Sequence, residues 1–244
     1  MNKELLHLLA NNYIQQKEET TPMSDIDPGI QYMQEGKLEE AAQYFTEAIE
    51  SNPEEPVHYI NFGNLLLHMK DYQRAERFYH KAIELDPKAA TAFYGLGNVY
   101  FETEQLDKAQ EYFQQSIQKG LEEADPYFML GMTFLYNEKY RLSLPYLQRA
   151  QELSPQDVDI QFQYGLALAQ SQQLEQAREA FEHTLQLEPQ HSDAHYNLGV
   201  IALYDEEIRQ ALEHFNLALE IQPDHLLAGN GKKQIEKMLG EQDG

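Results

Sequence analysis

Apolar residues along the chain recur every three and four positions, break for a few polar positions, and then resume, which is helical rather than strand spacing. The rhythm is itself periodic. Gly29, Gly63, Gly97, Gly131, Gly165 and Gly199 stand 34 residues apart, and Pro53, Pro87, Pro155, Pro189 and Pro223 keep the same interval, with Leu121 in the missing proline's slot. Twelve residues after each glycine is a small residue (Ala41, Ala75, Ala109, Ser143, Ala177, Ala211). Four further on is a large apolar one (Phe45, Tyr79, Phe113, Leu147, Phe181, Phe215), and three beyond that comes Ala48, Ala82, Ser116, Ala150, Thr184 or Ala218.

With the glycine at place 8, the period defines six units, 22–55, 56–89, 90–123, 124–157, 158–191 and 192–225. Apolar places 4, 7, 8 and 11, then 17, 20, 24, 27 and 28, predict two antiparallel helices per unit with a polar break near places 14 to 16. Helices of ~13 residues are marginal alone in water, so stability must come from stacking. Glycine inside a helix costs roughly 1 kcal/mol relative to alanine, so close approach to helix B, against the small residue at place 20, is the expected return. The proline at place 32 stops helix B, and Gly120 takes that role in the third unit. Asp27 is expected to cap the first helix with Pro28 at its first position. Pro145 is expected to kink its helix unless that helix starts late. Asp125, Asp159 and Asp193, recurring at place 2, are expected to cap helix A.

Leucine or an aromatic at place 7, Gly at 8, Tyr at 11, Ala at 20, Phe or Tyr at 24, Ala at 27 and Pro at 32 resemble the tetratricopeptide repeat (TPR); the third unit reads Phe93, Leu96, Gly97, Tyr100, Ala109, Phe113, Ser116. The resemblance covers 204 residues. It implies an all-α, right-handed superhelical solenoid of six helix-turn-helix repeats, residues 22–225. Residues 1–21 are then an N-terminal helix and linker, and 226–244 a capping helix and tail. In the N-terminal stretch, Leu5, Leu6, Leu9 and Tyr13 share a helical stripe, either a lid over the first repeat or a partner-docking helix. At the other end Leu226, Leu227, Ile235 and Leu239 form the expected sealing stripe, with Gly229 and Gly231 weakening its first half.

Places 2, 5, 9 and 12 of helix A lie about 100° round from the buried stripe. In the TPR family they line a concave face that holds peptides. Place 5 reads Ile60, Tyr94, Phe128, Phe162, Tyr196, and place 9 reads Asn64, Asn98, Met132, Leu166, Val200. With Asn61 and Phe101, these are the candidate groove: amides able to pair with an extended backbone, then apolar anchors. The competing expectation is that the rings pack between successive A helices, and the two can coexist. The family's basic clamp for a terminal carboxylate is absent, since its places hold Val57, Ile60, Asn61, Thr91, Tyr94, Gly95, Asp125, Phe128 and Met129.

Composition narrows the partner. There are 41 Asp+Glu against 18 Lys+Arg, a formal charge of -23, which repels phosphate and anionic membrane, so nucleic acid and lipid are not expected and a basic or apolar polypeptide is. Without cysteine there is no thiolate chemistry or disulfide framework. No signal-peptide pattern is read, so a cytoplasmic location is expected. Gly95-Leu96-Gly97 lacks the third glycine of a dinucleotide fingerprint. His191 and His195 have i, i+4 metal-ligand spacing but are expected to be ordinary surface residues. Glu39, Glu40, Glu54 and Glu55 read as solvated faces rather than acid-base pairs. The expected function is a non-enzymatic adaptor without cofactor that binds a partner segment; the alternative is a chaperone-like holder of unfolded or basic chains.

Overall fold

A computed structural model describes residues 27–242, and every described regular element is an α-helix. The expected N-terminal helix at residues 2–16 lies outside them. The chain divides after Ala150 into two compact units. In the first, α1 (Pro28–Gln34), α2 (Leu38–Ser51), α3 (Pro56–His68), α4 (Tyr72–Leu85), α5 (Ala90–Glu102), α6 (Leu106–Gln118) and α7 (Ala124–Tyr136) pack in sequence, and α8 (Tyr140–Leu153) runs across the division. The second holds α9 (Val158–Gln170), α10 (Leu174–Leu187), α11 (Ser192–Tyr204), α12 (Ile208–Ile221) and α13 (Leu226–Gln242).

The glycines show how each pair closes. A β-carbon on Gly63 would sit 2.7 Å from the Tyr79 ring, and on Gly97, Gly165 and Gly199 it would lie 2.5, 2.8 and 2.6 Å from Phe113, Phe181 and Phe215. The glycine therefore makes room for the ring at place 24 of helix B, and the expected partner at place 20 is corrected: its small side chain is buried beside that ring. A β-carbon on Gly95 would likewise collide with the Tyr79 ring of the preceding repeat, so Tyr79 is gripped between two glycines. In α13, a β-carbon on Gly231 would lie 2.7 Å from the Phe215 ring. It shapes the capping helix to the last repeat, and α13 runs unbroken through Gly229 and Gly231. Only Ile235 of the expected stripe is buried; Leu226, Leu227 and Leu239 are exposed.

One turn joins helix A to helix B throughout. Place 15 is left-handed in every repeat: Gly36 (φ 70°), Lys70, Glu104, Glu138, Gln172 and Glu206 (φ 57° to 63°). The next residue donates six-to-one to the helix, as in Asp71 N–H to Leu66 O (2.8 Å) and Gln173 N–H to Leu168 O (2.9 Å), which closes a Schellman motif. Gly120 (φ 99°) ends α6. Asp27 caps α1 by accepting from the Gly29 N–H at 2.8 Å, with Pro28 following. α8 starts at Tyr140 and continues through the exposed Pro145, so the helix does not begin late.

The aspartate caps need correcting. Asp125, Asp159 and Asp193 lie inside the first turn, where their charge still meets the positive end of the dipole. The cap is two residues earlier: Asp157 accepts from Ile160 N–H (3.1 Å) and His191 from Ala194 N–H (3.1 Å), while Glu123 makes no side-chain cap.

Candidate peptide-binding site

Helix A turns its glycine face to helix B, which leaves places 5, 9 and 12 pointing away. In the first unit these are half-buried Ile60, exposed Asn64, half-buried Tyr94, and the buried Asn98, Phe101, Phe128 and Met132; Asn61, also half-buried, stands next to Ile60 at place 6. Asn64 Oδ1 accepts from the Tyr79 hydroxyl at 2.7 Å, so the ring that fills the glycine notch also sets this amide. Burial pushes the Tyr94 hydroxyl's pKa up, with Asp125 acting in the same direction and the Asn98 amide, one turn on, opposing them. Asn98 Oδ1 accepts no hydrogen bond, although the residue is only 3% exposed. Phe101 meets Tyr136 edge-to-face at 5.1 Å between centroids, bridging α5 and α7.

The expectation of a solvent-open column fails in the middle. Phe128 is 1% exposed and Met132 is fully buried. Neighbouring A helices pack at helix-contact distance, so large side chains at these places fill the space between them.

In the second unit Phe162 and Leu166 are also buried, Tyr196 is half-buried, and Val200 alone is open, at 41%. The Phe162 ring lies 5.6 Å from Phe181 and 4.4 Å from His191, and the Tyr196 ring 5.2 Å from His225. Asp159, held inside by burial with Asp157 and Glu188 nearby, has its carboxyl pKa pushed up to about 6.

The histidines here are not ordinary surface residues. His191 Nδ1 caps α11, and His225 Nδ1 accepts from Ala228 N–H (3.2 Å) at the start of α13. That leaves His225 Nε2 protonated and donating to Asp193 Oδ1 at 3.0 Å, which ties the capping helix to the sixth repeat. His195 and His214 face each other, Nδ1 to Nδ1 at 3.2 Å. Burial lowers the pKa of His191, His195 and His214. The missed signal was positional: Asp157, His191 and His225 are again 34 apart, immediately before helix A. Among the described residues no three acidic or histidine side chains form a metal-binding group, and no helix is long and apolar enough to cross a membrane.

Comparison with known proteins gives this geometry a family. The tetratricopeptide repeat pattern matches residues 32–55, 54–119, 128–183 and 192–225. The TPR repeat-containing protein YrrB of Bacillus subtilis (strain 168) is 51% identical over 41 residues, 17% of this chain and 20% of that relative. A crystal structure of YrrB, described as a TPR protein with an unusual peptide-binding site, superposes with a TM-score of 0.74 at 45% identity, covering 79% of this chain and 99% of that one. A MamA crystal structure (TM-score 0.64, 23% identity, 69% of this chain and 92% of that one) shares the fold. The glycine notches, the repeated turn and the matched residues together place the chain in the tetratricopeptide repeat family, as an all-α repeat solenoid and protein-interaction module.

Proposed function

We propose that the chain is a non-catalytic adaptor in which the α3–α5–α7 stripe holds a peptide segment of a partner protein. The observation that carries this is Asn98. A buried amide carbonyl without a donor costs roughly 1–3 kcal/mol, and the backbone N–H of a bound segment would supply the missing bond. Half-buried Tyr94 and Ile60 offer apolar area on the same stripe, and Asn61 and Asn64 extend the polar track. The peptide-binding character of YrrB supports the same reading. The charge of -23 favours a partner with basic residues around an apolar core.

Replacing Phe128 or Phe162 is a poor test, because both rings are buried and their loss would unfold the repeats. Asn98→Ala removes the orphaned carbonyl without adding bulk. Capture of the chain's partner, identified from the native extract by mass spectrometry, should fall about tenfold with this variant while helical circular dichroism and the urea midpoint hold. Undiminished capture would reject the stripe as the site, and equal competition by a generic unfolded protein would favour the chaperone-like alternative.

A further inference from the structure

Because the repeats share one backbone, the outer faces of their B helices can be compared place for place. Places 19, 26 and 33 stand seven residues apart, close to two helical turns, and so follow one line along helix B and into the turn after it. In the first repeat they are Glu40, Glu47 and Glu54, and in the second Arg74, Lys81 and Lys88. All six are exposed. One line is wholly acidic and the next wholly basic, whereas the other four repeats mix their residue types there, as in Leu142, Arg149 and Gln156 of the fourth. Arg77, exposed between Arg74 and Lys81, widens the basic ridge in a chain whose formal charge is -23.

Within one chain the two ridges do not satisfy each other. α3 packs against both α2 and α4, and among the described residues no ion pair joins the ridges. Arg74 reaches Asp71 at 3.4 Å and Lys81 reaches Glu84 at 3.1 Å, in exposed pairs close by on the chain. Pairs of that kind are weak, which leaves the bases available to a stronger field.

We propose that the two ridges are the halves of a homodimer interface, with α2 of one copy set along α4 of a second and α4 of the first along α2 of the second. A two-fold axis lying between α2 and α4 and parallel to them makes this arrangement. It keeps the facing helices parallel, so Glu40 meets Arg74, Glu47 meets Lys81 and Glu54 meets Lys88, and each contact occurs twice. The second copy is the occupant because the complement of the basic ridge is already present in the chain, at the same places and the same spacing. An axis through either helix would set acid on acid or base on base, and one between α4 and α6 would set Lys108 against Arg74. The excess negative charge elsewhere does not forbid the contact, since at physiological ionic strength the Debye length is about 8 Å and each copy feels mainly the ridge facing it. The result is a weak, salt-sensitive dimer. Both ridges are on helix B, on the other side from the helix A stripe, so the candidate peptide site of each copy stays free and the dimer presents two of them.

Sedimentation of the full-length chain over a concentration series tests this. In about 0.15 M salt the unaltered chain should shift from monomer to dimer as its concentration rises, and in about 1 M salt it should remain monomeric. Glu40→Lys/Glu47→Lys/Glu54→Lys makes both ridges basic, and Arg74→Glu/Lys81→Glu/Lys88→Glu makes both acidic. Each variant alone should self-associate about a hundredfold more weakly. The first also makes the chain less acidic as a whole, so its loss of dimer would not come from net charge. An equal mixture of the two variants should recover the dimer, because every ridge then faces its opposite. An unaltered chain that stays monomeric at all concentrations would overturn the proposal, as would a dimer indifferent to the reversals or a mixture that stays monomeric while both variants keep their helical circular dichroism. If a reversal costs helicity, Arg74→Gln/Lys81→Gln/Lys88→Gln carries the test: a reduced dimer fraction supports the interface and an unchanged one rejects it. These outcomes are independent of the Asn98→Ala capture experiment, which concerns the opposite side of the repeats.

Discussion

The two compact units build the same repeat, but after the capped α1 their A helices start differently. In the first unit α3, α5 and α7 have no side-chain cap, since Glu55, Ala89 and Glu123 bond no backbone N–H there. In the second, α9, α11 and α13 are all capped, by Asp157, His191 and His225. The stripes differ too: aromatic and amide in the first unit, and bordered by ionisable histidines and Asp159 in the second. What the units share is the glycine notch with its ring, and the left-handed turn. The shared parts are those that packing dictates, and the variable parts are those that solvent, pH and partners can reach.

Breaking the shared part should be costly in either unit. Phe113→Ala and Phe181→Ala each empty a fully buried site and should lower stability by about 3–5 kcal/mol in urea unfolding. A much smaller loss at one of them would show that the notch is not equivalent in the two units.

Acid should separate the units. His191 accepts a backbone bond through Nδ1 and is needed neutral, and its pKa is lowered by burial, against the opposing pull of Glu188 and Asp193. The unfolded chain therefore binds the proton more readily, so stability is intact above the unfolded value near 6.5 and falls as pH drops below it. His195 and His214 add in the same direction. Between pH 7.5 and 5, amide protection factors should fall in α11 well before α3 and α5, corresponding to a lost cap of about 1–2 kcal/mol. His191→Asp, which caps when ionised, should shrink that difference.

Asp159 runs the opposite way. Its folded pKa, pushed up to about 6, means that the ionised carboxylate burdens the fold above that pH and the burden vanishes as the group protonates. After allowance for partial solvent contact, Asp159→Asn should raise stability by about 1 kcal/mol at pH 7.5, a gain that shrinks below pH 6 and is gone below the ordinary carboxyl value near 3.8. Smallest of all, Glu138→Gly or Gln172→Gly relieves a left-handed non-glycine residue and should gain a few tenths of a kcal/mol, alike in both units.

Much of this was readable in advance. The period of Gly29 to Gly199 and the rings at place 24 prescribe helix pairs, because volume at fixed helical intervals permits few other packings. Asp27 and Gly120 announced a helix start and a helix end through local backbone chemistry. Local chemistry misled at Asp125, Asp159 and Asp193, where any of several early positions satisfies the dipole, and at Lys70 or Glu206, whose side chains give no hint of a left-handed turn imposed by the closing helices.

The chain's periodicity by itself determined the repeat, its helix pairs and the direction in which the candidate stripe points, since each depends on residues within one turn or one 34-residue unit. Only the tertiary structure decided that Phe128 and Met132 are closed to water, that the glycines receive rings, and that histidines hold the last helices. Burial and hydrogen-bond partners are set by neighbours a full repeat or more away, and spacing along one chain carries no measure of them.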